Sequence, residues 1–107
     1  MDNALQMLSL ARRAGKLAYG FDAVAGAIQT GRAALVLISA QAAGRTERNI
    51  RRIAGENGVP VAAVPYSPED WFPVLGKAVA VLAVTDPNLA RGFRDRLAAN
   101  EAAGQNR

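Results

Sequence analysis

Two short apolar runs, "AALVLISA" at 33–40 and "AVAVLAV" at 78–84, constrain this chain more than anything else in it. Each is strand-sized, nearly continuous rather than alternating, and far too short to cross a membrane as a helix. A strand with no polar face has to be covered on both sides, as in a sheet held between two helical layers. A third, shorter strand is predicted after Pro60, in "VAAV" at 61–64.

The intervening segments supply the covering layers. Asp2 or Asn3 can cap a helix over 3–14, where Ala4, Leu5, Leu8 and Ala11 recur at helical spacing before Gly15. A second helix is predicted from near Asp22 through Val24, Ala27 and Ile28 to Gly31, a glycine suited to a C-terminal stop. Thr46 can cap a third, carrying Ile50, Ile53 and Ala54 and ending near Asn57-Gly58. Ser67-Pro68-Glu69-Asp70 reads as a helix start, with Ser at the cap and acids in the first turn, and Pro73 keeps that short helix irregular. Asp86 or Asn88 opens a last helix with Leu89, Phe93 and Leu97 on one face, and 98–107 is expected to fray. With no internal repeat and no linker, the expectation is one domain over 1–107, a three-layer α/β/α sandwich.

Composition narrows the chemistry. The chain has no Cys and no His, which excludes disulfides, thiolate metal sites and the commonest general base. Its nine acids are scattered, and "GKL" at 15–17 lacks the hydroxyl residue that a phosphate loop needs after its lysine. The reading is a protein that is not an enzyme and carries no cofactor or metal. Met1-Asp2-Asn3 is not the basic start of a secretory leader, so a cytoplasmic location is expected. Thirteen Lys and Arg against nine acids give +4 and a pI near 10.3. Such a balance suits a polyanionic partner, usually nucleic acid, or serves solubility alone.

"GKLAYGFDAV" at 15–24 places two glycines and a lysine around a helix start. Gly20 lets a phosphate or base approach the exposed N–H groups of the helix, whose N-terminus adds partial positive charge. Asp22 opposes this, because as the cap it would occupy those groups itself. Arg12, Arg13 and Lys16 gather at the end of the first helix, as phosphate ligands or as cations favoured by the helix dipole. Arg45, Arg48 and Arg52 fall at i, i+3 and i+7, a phosphate stripe or a solvated face partly neutralised by Glu47 and Glu56.

With these residues in hand, the chain over 5–97 resembles the YlxQ-like bacterial branch of the kink-turn RNA-binding ribosomal protein superfamily. The most specific pieces are "LARRAGKL", the helix start at Gly20, "LVLISAQA" with the later Arg45-Thr46, and "GK" at 76–77 with "VLAVTD" at 81–86. The resemblance implies an α/β/α sandwich that sets several loops of one edge against structured RNA, with ribosomal RNA or the ribosome as partner. In the superfamily, Asn, Glu and Lys of the helix after the glycine read sheared G·A pairs, and a later loop covers a flipped-out nucleotide. By position, Gly20 matches the family glycine, Lys16 a basic residue of the loop leading to it, and Gly76-Lys77, followed by Ala78, the start of the covering loop.

Three positions depart from that pattern: Asp22 stands where Asn is usual, Ala23 where Glu is usual and Gly26 where Lys is usual. Each bidentate pairing to a base edge that goes missing removes about 1–3 kcal/mol of discrimination. The covering loop reads as short, passing from Lys77 directly into the strand at Ala78-Val79. Arg13, Lys16, Tyr19, Gly20, Phe21, Asp22, Ala23, Gly26, Gly76, Lys77 and Ala78 therefore form the candidate RNA surface. Tyr19 and Phe21 either stack on an unpaired base or pack into the core. The expected state is a monomer off the membrane. A protein-interaction module on the same fold is the rival reading.

Overall fold

The computed structural model describes residues 2–105. In chain order the elements are α1 (Asn3–Arg13), β1 (Leu17–Tyr19), α2 (Phe21–Gln29), β2 (Leu35–Ile38), α3 (Gly44–Glu56), β3 (Val61–Ala63), α4 (Pro68–Leu75), β4 (Val81–Val84) and α5 (Pro87–Gln105). The four strands form one mixed sheet ordered β1-β4-β2-β3. β4 runs antiparallel to both neighbours, with Leu82 opposite Tyr19 on one side and Leu37 on the other, while β2 and β3 are parallel.

The two central strands are buried at every residue, as their unbroken apolar runs require. Alternate side chains then serve opposite layers. Leu35, Leu37, Leu82 and Val84 join Leu8, Trp71, Leu75 and Phe93 beneath α1, α4 and α5. Val36, Ile38, Val81 and Ala83 join Val24, Ile28, Ile50 and Ile53 beneath α2 and α3. Each fully buried Val, Leu or Ile contributes about 1.5–3 kcal/mol relative to exposure, so each of the two apolar layers is a substantial source of stability. This is the three-layer α/β/α architecture expected from the sequence.

Side-chain contacts fix the outer layer. Asp2 caps α1 by accepting from the Leu5 N–H at 2.9 Å, and its second oxygen accepts from the Tyr66 hydroxyl at 2.7 Å. An Arg12 guanidinium nitrogen donates to the Val74 carbonyl at 3.1 Å, joining α1 to α4. Ser67 and Asp70 form the reciprocal cap at the start of α4. Gly76 closes that helix in the left-handed conformation, with φ of 70°.

Several boundaries differ from the sequence reading. β1 is not among the expected strands; its three half-buried residues owe their extended form to pairing with β4. α2 starts at Phe21 with Gly20 as its cap, so Asp22 lies in the first turn instead of opening the helix. α3 starts at Gly44 with Ala43 at the cap, which puts Thr46 inside the helix. α4 accommodates Pro73 and still runs to Leu75, on a short helix where the proline is exposed. β4 starts at Val81 and not at 78, leaving a loop over 76–80. Asp86 caps α5 through the N–H groups of Asn88 and Leu89 at 2.8 and 3.0 Å. α5 then continues through Gln105, past position 98 where the frayed tail is expected to begin, with Leu97 buried on its inner face; 106–107 lie outside the described residues.

Candidate nucleic-acid interface

The candidate interface lies where β1 and β2 end and β4 begins. The Gly20 N–H donates to the Val81 carbonyl at 3.1 Å, and the Ser39 N–H donates to the Ala80 carbonyl at 2.9 Å. These two bonds bring the β1–α2 junction, the 39–43 loop and the 76–80 loop to one sheet edge. α2 and α3 follow β1 and β2 directly, so both start at this edge.

Their first turns are unusual within this molecule. α1, α4 and α5 are closed by Asp2, Ser67 and Asp86. Gly20 and Ala43 place no side-chain oxygen over α2 and α3. The first helical bonds run from Val24 to the Gly20 carbonyl and from Glu47 to the Ala43 carbonyl, each at 3.0 Å. The N–H groups of Phe21, Asp22 and Ala23, and of Gly44, Arg45 and Thr46, therefore point outward without an intrahelical acceptor. Two helix dipoles direct partial positive charge at the same edge. Asp22 neither caps α2 nor covers these donors, contrary to the sequence expectation, although its exposed carboxylate adds a negative charge beside them.

Gly20 has φ of 85° and ψ of 169°, a region in which only glycine is comfortable. That geometry turns β1 into α2 within one residue. Phe21 follows at the first helical position and remains 37% exposed, so it is a surface aromatic and not a core one. Gly26 lies one turn beyond Asp22 and Ala23 on α2, and a Cβ on it would meet nothing within 4 Å. Beyond Phe21 and Asp22, this face of α2 thus presents a small side chain and open space at Ala23 and Gly26.

The 76–80 loop supplies the cation. Lys77 Nζ lies 4.6 Å from the centroid of the Tyr19 ring. Tyr19 is half-buried against the α1–α4–α5 core, and burial pushes its hydroxyl above the usual pKa while the Arg12 guanidinium pulls the other way. Arg12 lies under the loop, since a Cβ on Gly76 would come within 3.3 Å of its guanidinium. Ala78 belongs to this exposed loop, which is longer than the sequence suggests.

Not every candidate residue reaches this edge. The Lys16 carbonyl accepts from Thr85, whereas Gly20 bonds Val81. Four extended steps, over Leu17, Ala18 and Tyr19, separate Lys16 from Gly20, about 13 Å of chain. Arg13 stands on the outer face of α1 with Gln6, Ser9 and Leu10. The arginine stripe of α3 is divided: Arg51 pairs with Glu47 at 2.9 Å and Arg52 with Glu56 at 3.3 Å. Arg45 and Arg48 have no ion partner among the described residues, and Arg48 folds back to within 3.2 Å of a Cβ position at Gly44. The open start of α3 is the part of the edge that sequence reasoning missed. Its signal is the lack of a capping residue in "AAG" at 42–44.

Among the described residues no cluster of His, Cys, Asp and Glu is placed to hold a metal ion, and no helix is long and apolar enough to cross a membrane. An α/β/α sandwich with two uncapped helix N-termini, a lysine and an exposed phenylalanine on one edge defines the class, a ribosomal-protein-type fold. The chain belongs to the ribosomal protein L7Ae/L30e/S12e/Gadd45 family, whose model matches residues 2–93. The structure of a protein of unknown function from Bacillus halodurans is 28% identical, with a TM-score of 0.84, covering 91% of this chain and 98% of that one. A 15.5 kD RNA-binding protein from Giardia lamblia shares the fold at 18% identity and a TM-score of 0.68, covering 92% of this chain and 84% of that one. No curated protein sequence is significantly similar to the chain.

Proposed function

We propose that this is a non-enzymatic RNA-binding protein of the ribosomal-protein type, from the YlxQ-like bacterial branch of its family, acting on structured RNA in the cytoplasm near the ribosome. The observation that carries the reading is the pair of uncapped helix N-termini, α2 and α3, at one edge beside Lys77. The outward N–H groups of Phe21 to Ala23 and of Gly44 to Thr46 hold phosphate oxygens. Lys77, Arg45 and Arg48 add charge around them, and Phe21 offers a face to an unpaired base. Family membership and the fold shared with the Giardia RNA-binding protein support this reading.

Asp22, Ala23 and Gly26 shift the balance from base reading to backbone holding. The kink-turn is the target shape that best suits the edge, with phosphate contacts dominating affinity. The test is fluorescence anisotropy of a labelled kink-turn RNA at two salt concentrations. A control RNA of equal length has its sheared G·A pairs replaced by Watson–Crick pairs. The expected result is strongly salt-dependent binding, with a preference for the kink-turn smaller than full base-edge contacts would give. Absence of binding to both RNAs would overturn the reading and turn attention to a protein partner for the same edge.

A further inference from the structure

The opposite end of the sheet carries a second cationic surface that the proposed interface does not use. Gly15, Lys16 and Thr85 meet the 31–34 loop around a depression of about 570 Å³. A second depression of about 500 Å³ continues along the first turns of α5, and the two share Ala34 and Pro87 as a common wall. Lys16 and Arg32 border the first, Arg91 and Arg94 the second. All four are exposed, and none is in an ion pair among the described residues. Asp95 is the one carboxylate on the lining; neighbouring Asp86 is already engaged by the N–H groups of Asn88 and Leu89.

The shape and the charge point to one kind of occupant. Gly15, Gly31, Ala33, Ala34, Ala90 and Ala98 form a low floor without large apolar side chains, which offers little to an apolar peptide. Four cations against one free acid along a continuous groove suit a rigid polyanion. The groove also stands apart from the Gly20 edge by the length of β1, about 13 Å, which exceeds the screening length of about 8–10 Å at moderate salt. Its cations therefore act on phosphates other than those held at Gly20.

We propose that this groove is a second RNA-backbone site, so that one protein holds two phosphodiester segments of a structured RNA at opposite ends of its sheet. The inference rests on the RNA-binding reading and adds a second footprint to it.

The test compares wild type, the double variant Arg91→Gln/Arg94→Gln, Lys77→Gln, and Arg51→Gln as a surface-charge control. Each is titrated against the kink-turn RNA over a series of salt concentrations, after circular dichroism has confirmed an unchanged fold. The expected result is a log K against log salt slope about 1.5 units shallower for the Arg91/Arg94 variant, at roughly 0.7–0.9 for each phosphate no longer neutralised. Lys77→Gln should reduce the slope separately, and Arg51→Gln should barely change it. An unchanged slope for the Arg91/Arg94 variant beside a reduced one for Lys77→Gln would overturn the second footprint while leaving the first. An equal reduction in Arg51→Gln would overturn it too, by showing that only overall charge matters. Wild-type protein that binds no RNA would overturn both readings.

Discussion

Lys77 Nζ sits 4.6 Å above the centre of the Tyr19 ring. The contact joins the loop after α4 to the edge strand and positions one cation at the rim. A partly exposed cation–π pair of this kind is worth about 0.5–1 kcal/mol. Replacing Lys77 by Gln should weaken all RNAs alike and flatten the salt slope by about 0.7–0.9. Tyr19→Leu keeps the charge but removes its platform, so its loss of affinity should be smaller. Anisotropy titrations of both variants over a salt series check this ordering.

Gly20 should tolerate no other residue without cost. A Cβ there would touch nothing within 4 Å, so the obstacle is its φ of 85° and not crowding. Gly20→Ala should destabilise the fold by about 1–3 kcal/mol, measured by urea unfolding. Gly26→Ala has neither obstacle, and helix propensity alone predicts a gain of up to about 1 kcal/mol in the same assay.

Asp22 places two effects in opposition. Its carboxylate favours the α2 N-terminus by about 0.3–1 kcal/mol and repels phosphates arriving at the same turn. Asp22→Asn should therefore bind RNA more tightly and melt slightly lower. A variant that gains affinity with no change in salt slope would contradict the charge argument.

The Asp2–Tyr66 bond makes the fold sensitive to acid. Burial pushes the Asp2 carboxyl up, but the Tyr66 hydroxyl and the N–H groups at the start of α1 outweigh it and hold the pKa below its ordinary 3.8. The charged form is thus worth more in the folded chain than in the unfolded one. That stability is fully present above about pH 4 and is lost as pH falls through the folded value. Asp2→Ala should cost about 1 kcal/mol at neutral pH through loss of the cap, whereas Asp2→Asn, which can still cap the helix, should mainly remove this part of the acid dependence of the melting temperature. Tyr66→Phe should keep the cap and lose part of the same acid dependence.

The parts of this fold that could be read in advance are those settled by local chemistry. β2 and β4 are legible because burial on both faces leaves only apolar residues, and the start of α4 because Ser67 and Asp70 cap each other within four residues. β1 is not legible: "LAY" becomes a strand only through β4, more than sixty residues away in the chain. Asp22 and Thr46 have the composition of caps, yet a cap is decided by backbone angles, and Gly20 and Ala43 start their helices two or three residues earlier. The same blindness to β1 affects the site. Gly20, Phe21 and Lys77 can be grouped from the sequence, and Lys16 groups with them there as well, but the extended strand carries it to the far end.

The strand order also sets a timetable. β1 lies at the sheet edge and its one neighbour is β4, the last strand to be made. During synthesis at roughly 5–20 residues per second, residues 17–19 must wait several seconds for their partner. The β2–β3 pair can close meanwhile, but no part of the chain ending before residue 81 can build the Gly20–Val81 contact that shapes the rim. The proposed RNA-facing edge is therefore completed only late in translation, after the helices α2 and α3 that start at it have been made.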